Sequence, residues 1–336
     1  MFHRFAPLFL LACTAAPRAE PAPKPTPAPA LRLAAAPAAS PAPAASPAPA
    51  ASPAPAASTV PAAQPVVAST PPVELVPSSA YPWGPTAPGS DRLNVRFASP
   101  PVGFTRVETT EGSFGRFLRA LPLQPEGSPV VDFRGNPLYS NGAHPNISAV
   151  VDIDVGNKDL QHCADAIIRL HAEWRYGKGE RDLTYRAVSG QALSYKGYVA
   201  GDRAVIEGKG IVFKRVAAPA KDTHALARGW MDEVFAWAGT ASLERDAKKV
   251  AFTDVAAGDF FGMSGSPFGH AVLVLDVAKA EDGRVALLLG QSYMPAQSFQ
   301  VLRPDASTAW FVVEPNDVAV TTPFWQPFLK TSLRRL

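Results

Sequence analysis

The chain has 336 residues, 32 basic and 29 acidic side chains, a formal charge of +3 and 36 prolines, 22 of them at or before Pro88. Residues 15–79 are almost entirely Pro, Ala, Ser, Thr and Val, a composition that cannot bury enough apolar surface to offset the entropy of ordering it. Beyond residue 80 the count is 28 basic against 27 acidic residues with no Lys/Arg run, which excludes a nucleic-acid footprint, and no apolar run there reaches the ~18 residues of a membrane span. Two cysteines, Cys13 and Cys163, exclude a disulfide framework.

The N-terminus reads as an export signal. Arg4 precedes the apolar stretch Phe5–Ala12, and Leu10-Leu11-Ala12-Cys13 is similar to a bacterial lipobox, in which Cys13 would carry the lipid anchor. An ordinary secretory signal with an incidental cysteine is the alternative. Thr14 in the position after the lipidated cysteine implies the outer membrane, with the protein facing the periplasm. Residues 41–58 are three copies of Pro-Ala-Pro-Ala-Ala-Ser; such sequences favour extended polyproline II at ~3.1 Å per residue, so a linker over 14–80 is expected to be disordered and stalk-like. The expected organisation is a signal peptide over 1–13, that linker, and a single globular domain over 81–336.

In the folding part, Ser113–Leu121 has helical spacing with Phe114, Phe117, Leu118 and Leu121 on one face. Ala149–Val155 alternates as a half-buried strand, Gly156-Asn157 breaks it, and Asp159 reads as the cap of a helix over Leu160–Tyr176. Leu183–Val188 is a short strand, and Ala225–Ala238 a second helix ending before Gly239. Strands follow at Asp259–Phe261, His270–Val277, Val285–Leu289 and Ala309–Val313, and Pro323–Leu336 closes the chain with aromatics. Helices followed by an antiparallel sheet define an α+β class.

Cys163 is the first candidate for chemistry. It lies in the first turns of the predicted helix, where the positive end of the dipole favours a thiolate. Cys is also among the most buried residue types, so an inert core thiol is the competing reading. His270 begins an apolar strand directly after the Gly-rich stretch Gly262–Gly269, and a Cys–His pair is the minimal thiol nucleophile with its base. A third residue should orient the imidazole. A hairpin turning near Ala280–Gly283 brings Gln291, Ser292 and Tyr293 opposite His270, with Gln291 favoured for a turn centred on Ala280/Glu281. Asp276, six residues further along the strand, is about 20 Å away and too far to serve.

This order resembles the NlpC/P60-like and wider papain-like cysteine hydrolases over about residues 159–293, where a Cys opens a helix and a His begins a following strand. Gly258-Asp259-Phe260-Phe261 and Gly269-His270-Ala271-Val272 are similar to the strand pair of that group, whereas its usual Asp-Cys-Ser-Gly is here His162-Cys163-Ala164-Asp165. A closer resemblance, spanning about residues 100–330, is to the bacterial domain of unknown function 4846. Its blocks stand here as Arg116-Phe117-Leu118-Arg119, Asp159-Leu160-Gln161-His162-Cys163-Ala164-Asp165-Ala166, Gly239-Thr240-Ala241-Ser242-Leu243, Gly269-His270-Ala271-Val272 and Gln291-Ser292-Tyr293-Met294-Pro295-Ala296-Gln297.

These resemblances imply a papain-like (NlpC/P60-like) helix packed on an antiparallel sheet, in a cell-envelope lipoprotein with an amidase- or peptidase-like thiol hydrolase domain. Cys163 would attack, His270 would act as base and then acid, and Gln291 would orient it. Gln161, or backbone N–H groups at the start of the Cys163 helix, would stabilise the oxyanion. Peptidoglycan peptides are the expected substrate, the membrane is met only through the lipid anchor, and no cofactor, metal or nucleic acid is implied. The alternative is a non-catalytic domain of the same fold that binds cell wall or protein partners. Asp152, Asp154, Asn157 and Asp159 lack the spacing of a calcium loop, and Gly262-Met263-Ser264-Gly265-Ser266 is not a nucleophile elbow. If Cys13 is the anchor, Cys13→Ala should shift the protein from washed membranes to the soluble exported fraction in immunoblots; a variant still retained in the membrane fraction contradicts the lipobox.

Overall fold

The structure, a computed structural model, describes residues 81, 83, 84, 91–208, 210–266 and 268–336. The signal, the lipobox with Cys13 and the linker over 14–80 lie outside the described residues. Among the described residues no helix is long and apolar enough to cross a membrane.

A nine-stranded antiparallel sheet organises the domain. Its neighbours run Ile147–Val150, Gln300–Leu302, Val285–Gln291, His270–Lys279, Phe260–Met263, Leu333–Arg335 and Lys248–Lys249. Trp310–Val313 adds to the far half of Val285–Gln291, and Thr105–Arg106 to the far end of His270–Lys279. The two central strands are buried from His270 to Ala278 and from Val285 to Gln291. This explains their unbroken apolar sequence: both faces are covered, so neither face needs to be polar.

On one face, Leu273, Leu275 and Leu288 pack with Ile167 and Leu170 of the helix Cys163–Gly177 and with Trp230 of the helix His224–Trp237. On the other, Val272, Val274, Leu287 and Leu289 meet Phe328 and Val320. A register shift between Val274 and Asp276 marks a bulge in the long strand.

The helix over Ser113–Leu121 is Phe114–Arg119, with the Ser113 hydroxyl accepting the N–H of Arg116 as its cap. The strand expected over Ala149–Val155 ends at Val150, because the next two N–H groups diverge, that of Val151 to Phe299 O and that of Asp152 to Pro122 O. Several elements had no counterpart in the sequence expectations, among them a hairpin and a helix. Asp202–Glu207 and Gly210–Arg215 form a hairpin outside the main sheet, with Ile206 75 % exposed, so burial leaves no clean alternation there. Gly239, read as a helix terminator, caps a further helix, Thr240–Asp246, through Ser242 Oγ.

The central strand carries one acidic residue, Asp276, fully buried. Arg119 Nε donates to Asp276 Oδ1 at 2.8 Å, and Arg106 Nε lies 3.0 Å from Oδ2. Burial pushes the Asp276 carboxyl up, and the Arg106 and Arg119 charges oppose that. Removing one partner of a buried ion cluster leaves the other undercompensated. Arg119→Met is therefore expected to lower the unfolding free energy by about 3 kcal/mol, read from the urea midpoint.

Candidate active site

The Cys163 helix starts three residues later than its spacing suggests, and this sets the position of the thiol. Asp159 does not cap the helix: its Oδ1 accepts the Ala296 N–H at 2.7 Å and lies 2.9 Å from His162 Nε2. Tight turns follow, Leu160 N–H to Lys158 O and His162 N–H to Leu160 O, so the segment before the helix is held against the 296 loop. His162 is the N-cap residue and Cys163 the first helical residue. The N–H groups of that first turn have no helical acceptor, and the positive end of the dipole lies beside Sγ.

Sγ is directed to Gly269 O at 4.0 Å, next to the start of the His270 strand. Cys163 is only 6 % exposed. Burial pushes the thiol up; the backbone N–H of Ala271 pulls it down, the Asp165 charge raises it, and the Ala164 N–H and the Thr240 hydroxyl favour the thiolate. Asp165 is itself buried, with its carboxyl raised well above the usual range by that burial.

His270 Nε2 lies 2.8 Å from Gln291 Oε1. A carbonyl oxygen only accepts, so Nε2 carries the proton and Nδ1 keeps a lone pair. The ring is 1 % exposed and sits among Tyr293 and Trp325, each 5.0 Å away between centroids, and Phe328. Burial lowers the His270 pKa to about 4, with the Gln291 hydrogen bond opposing the shift. Gly269 permits the close turn: a Cβ there would meet Met263 O at 2.6 Å. Leu273 pairs with Gly290 and Val274 with Leu289, so the continued register sets Tyr293 directly across from His270. Gln291 therefore reaches the ring diagonally from the same face, a pairing that sheet geometry allows.

The structure thus joins His270 to Gln291 by a hydrogen bond and sets Cys163 against the backbone on either side of His270; among the described residues no hydrogen bond links Sγ to the ring. Gln161 is engaged elsewhere, its Oε1 accepting from Arg169 Nη1 at 3.1 Å and its Nε2 directed to Asp154 O. Ser292 Oγ lies 2.7 Å from Gln297 O and 3.2 Å from Gln161 O, tying the end of the Gln291 strand to the residues preceding Cys163. Trp325 and Phe328, from the aromatic end of the chain, complete the surroundings of the imidazole. Among the described residues no group of three or more His, Cys, Asp or Glu side chains is placed to hold a metal ion.

Four of the five sequence blocks quoted above meet at this point: Asp159 with Ala296, Ser292 with Gln161, Thr240 with Cys163, and Cys163 with Gly269. The fifth supplies Arg119 to Asp276.

The fold is a mixed α+β domain built on one antiparallel sheet with few helices. The family model of the domain of unknown function 4846 matches residues 93–335, and the chain belongs to that family. No curated protein and no solved structure matches the chain.

The buried, neutral histidine has a thermodynamic consequence. An unfolded His takes up a proton near pH 6.5, whereas folded His270 does so only near pH 4. Its contribution is complete above about pH 6.5 and is lost as the pH falls toward 4, because the unfolded state then binds the extra proton. His171, buried against Phe114 and hydrogen-bonded to Tyr185, is lowered by burial to about 4 as well and adds in the same direction. Stability should therefore fall between pH 6.5 and 4, by at most about 3 kcal/mol for each histidine. In urea titrations across that range, His270→Asn is expected to show a shallower fall than the wild type.

Proposed function

We propose that the domain is a thiol hydrolase acting on amide bonds, with Cys163 as nucleophile, His270 as base and then acid, and Gln291 as the residue that positions His270. The observation that carries this reading is the His270 Nε2–Gln291 Oε1 bond of 2.8 Å, which commits one ring nitrogen of a residue whose flanking backbone, Gly269 O and the Ala271 N–H, lies against Sγ. At neutral pH the resting pair is uncharged, since burial raises the thiol and lowers the imidazole. The nucleophile is then made during attack: the thiol proton passes to His270 Nδ1 as sulfur bonds to the carbonyl carbon. The imidazolium returns that proton to the leaving amine as the C–N bond breaks, giving a thioester. Water deprotonated by the same nitrogen hydrolyses the thioester to a carboxylic acid and restores the thiol.

The backbone N–H groups of the first helical turn take the oxyanion role, Gln161 being held by Arg169. Tyr293 and Trp325 must move to admit a substrate, because they pack against the imidazole. A papain-like relationship, attachment to the envelope through Cys13, and peptidoglycan stem peptides as substrate complete the proposal. They rest on the order Cys–His–Gln and on the N-terminal sequence.

A second reading is a non-catalytic domain that binds wall peptides or a protein. It is favoured by the burial of both Cys163 and His270. Incubation with purified muropeptides, followed by mass spectrometry, separates the two. Hydrolysis is expected, reduced at least ~10³-fold in Cys163→Ala and His270→Ala and about 10- to 100-fold in Gln291→Ala. Binding without turnover by the wild type would leave the second reading.

A further inference from the structure

Gln300 is fully buried, on the strand Gln300–Leu302. It is the register partner of Gln291, and directly opposed residues on neighbouring strands share a face with Cβ atoms about 5 Å apart. Phe299 and Val301, on either side of it, belong to the core on the helix side of the sheet, so Gln300 faces the opposite side, where Gln291 meets His270.

Three amide groups in this pair have no hydrogen-bond partner: Gln291 Nε2, Gln300 Nε2 and Gln300 Oε1. Leaving a buried amide group unmatched costs about 1–3 kcal/mol, so two adjacent glutamines with unmet groups need a common solution. The unmet groups are complementary, since Gln291 Nε2 donates and Gln300 Oε1 accepts. They can meet after a small side-chain rotation or through one enclosed water.

The orientation of the Gln291 amide decides what His270 can do. With Oε1 toward the ring, Nε2 of His270 holds the proton and Nδ1 is a base. Turned by 180°, Gln291 Nε2 would donate to His270 Nε2, the proton would sit on Nδ1, and Nδ1 would no longer be a base. An acceptor beyond the far end of the Gln291 amide selects the first arrangement.

We propose that Gln300 is a positioning residue that supplies this acceptor through Oε1, fixes the Gln291 amide and thereby sets the tautomer of His270. The proposal rests on His270 being the base of the site, but its test needs neither substrate nor thiol reactivity. The ¹⁵N shifts of His270 in the full-length protein at pH 7 report which ring nitrogen is protonated. The wild type should be almost wholly the Nε2–H tautomer. Gln300→Met, which keeps the side-chain length but removes the acceptor, should reduce that population to about half. Gln300→Glu, an acceptor at the same place in either protonation state, should restore it. A purely structural role for Gln300 would leave the tautomer unchanged in Gln300→Met, and that result overturns the proposal. An Nδ1–H tautomer in the wild type or in Gln300→Glu overturns it equally. If the tautomer follows this pattern while muropeptide hydrolysis is absent, the positioning role stands and the hydrolase reading fails.

Discussion

The strand His270–Lys279 is covered on both faces, and that constraint governs the rest of the domain. A polar side chain on such a strand survives only with a partner brought by another element. His270 at one end draws Gln291 across from the neighbouring strand, and Asp276 further along draws Arg119 from the helix Phe114–Arg119 and Arg106 from an added strand. The two partnerships differ in chemistry. At Asp276 charges are paired and nothing is left to react. At His270 the partner is neutral and occupies only one ring nitrogen, and the other nitrogen is available.

The start of the same strand also fixes the thiol. Gly269 turns the chain tightly enough for its carbonyl to face Sγ, and Asp159, anchored on Ala296, delays the helix until Cys163 is its first residue. A cap at Asp159 would have placed Cys163 a turn inside the helix, away from the free N–H groups. One long-range contact, Asp159 to Ala296, therefore couples the loop after Gln291 to the placement of the nucleophile candidate.

How far the sequence disclosed this can be judged residue by residue. The Cys–His–Gln order was readable because periodicity marks the helix and strand on which Cys163 and His270 lie. The pairing of Gln291 was reached from a turn centred on Ala280/Glu281, whereas Lys279 pairs with Val285, so the turn centres on Asp282; the bulge between Val274 and Asp276 then moves the register by one residue, and Gln291 meets the ring diagonally rather than directly. A bulge inside a uniformly apolar run leaves no trace in hydrophobic alternation. The local cap expected at Asp159 lost to a tertiary hydrogen bond that no short-range pattern encodes. Gln161 has the right chemistry for an oxyanion donor, but the buried Arg169 beneath it claims its carbonyl. Gln300 had no signal at all, being one polar residue in a three-residue strand whose importance comes from its register partner.

The central claim is that Cys163 and His270 form one reactive unit rather than two separately buried residues. Iodoacetamide labelling of Cys163 in the folded protein, followed by intact-mass spectrometry from pH 6 to 9 and compared with the unfolded chain, tests it most directly. The account predicts modification of the native protein at a rate that falls when His270 is replaced by Ala, with the fold retained by circular dichroism. A thiol protected in the native state, indifferent to His270→Ala and modified only on unfolding, would contradict it.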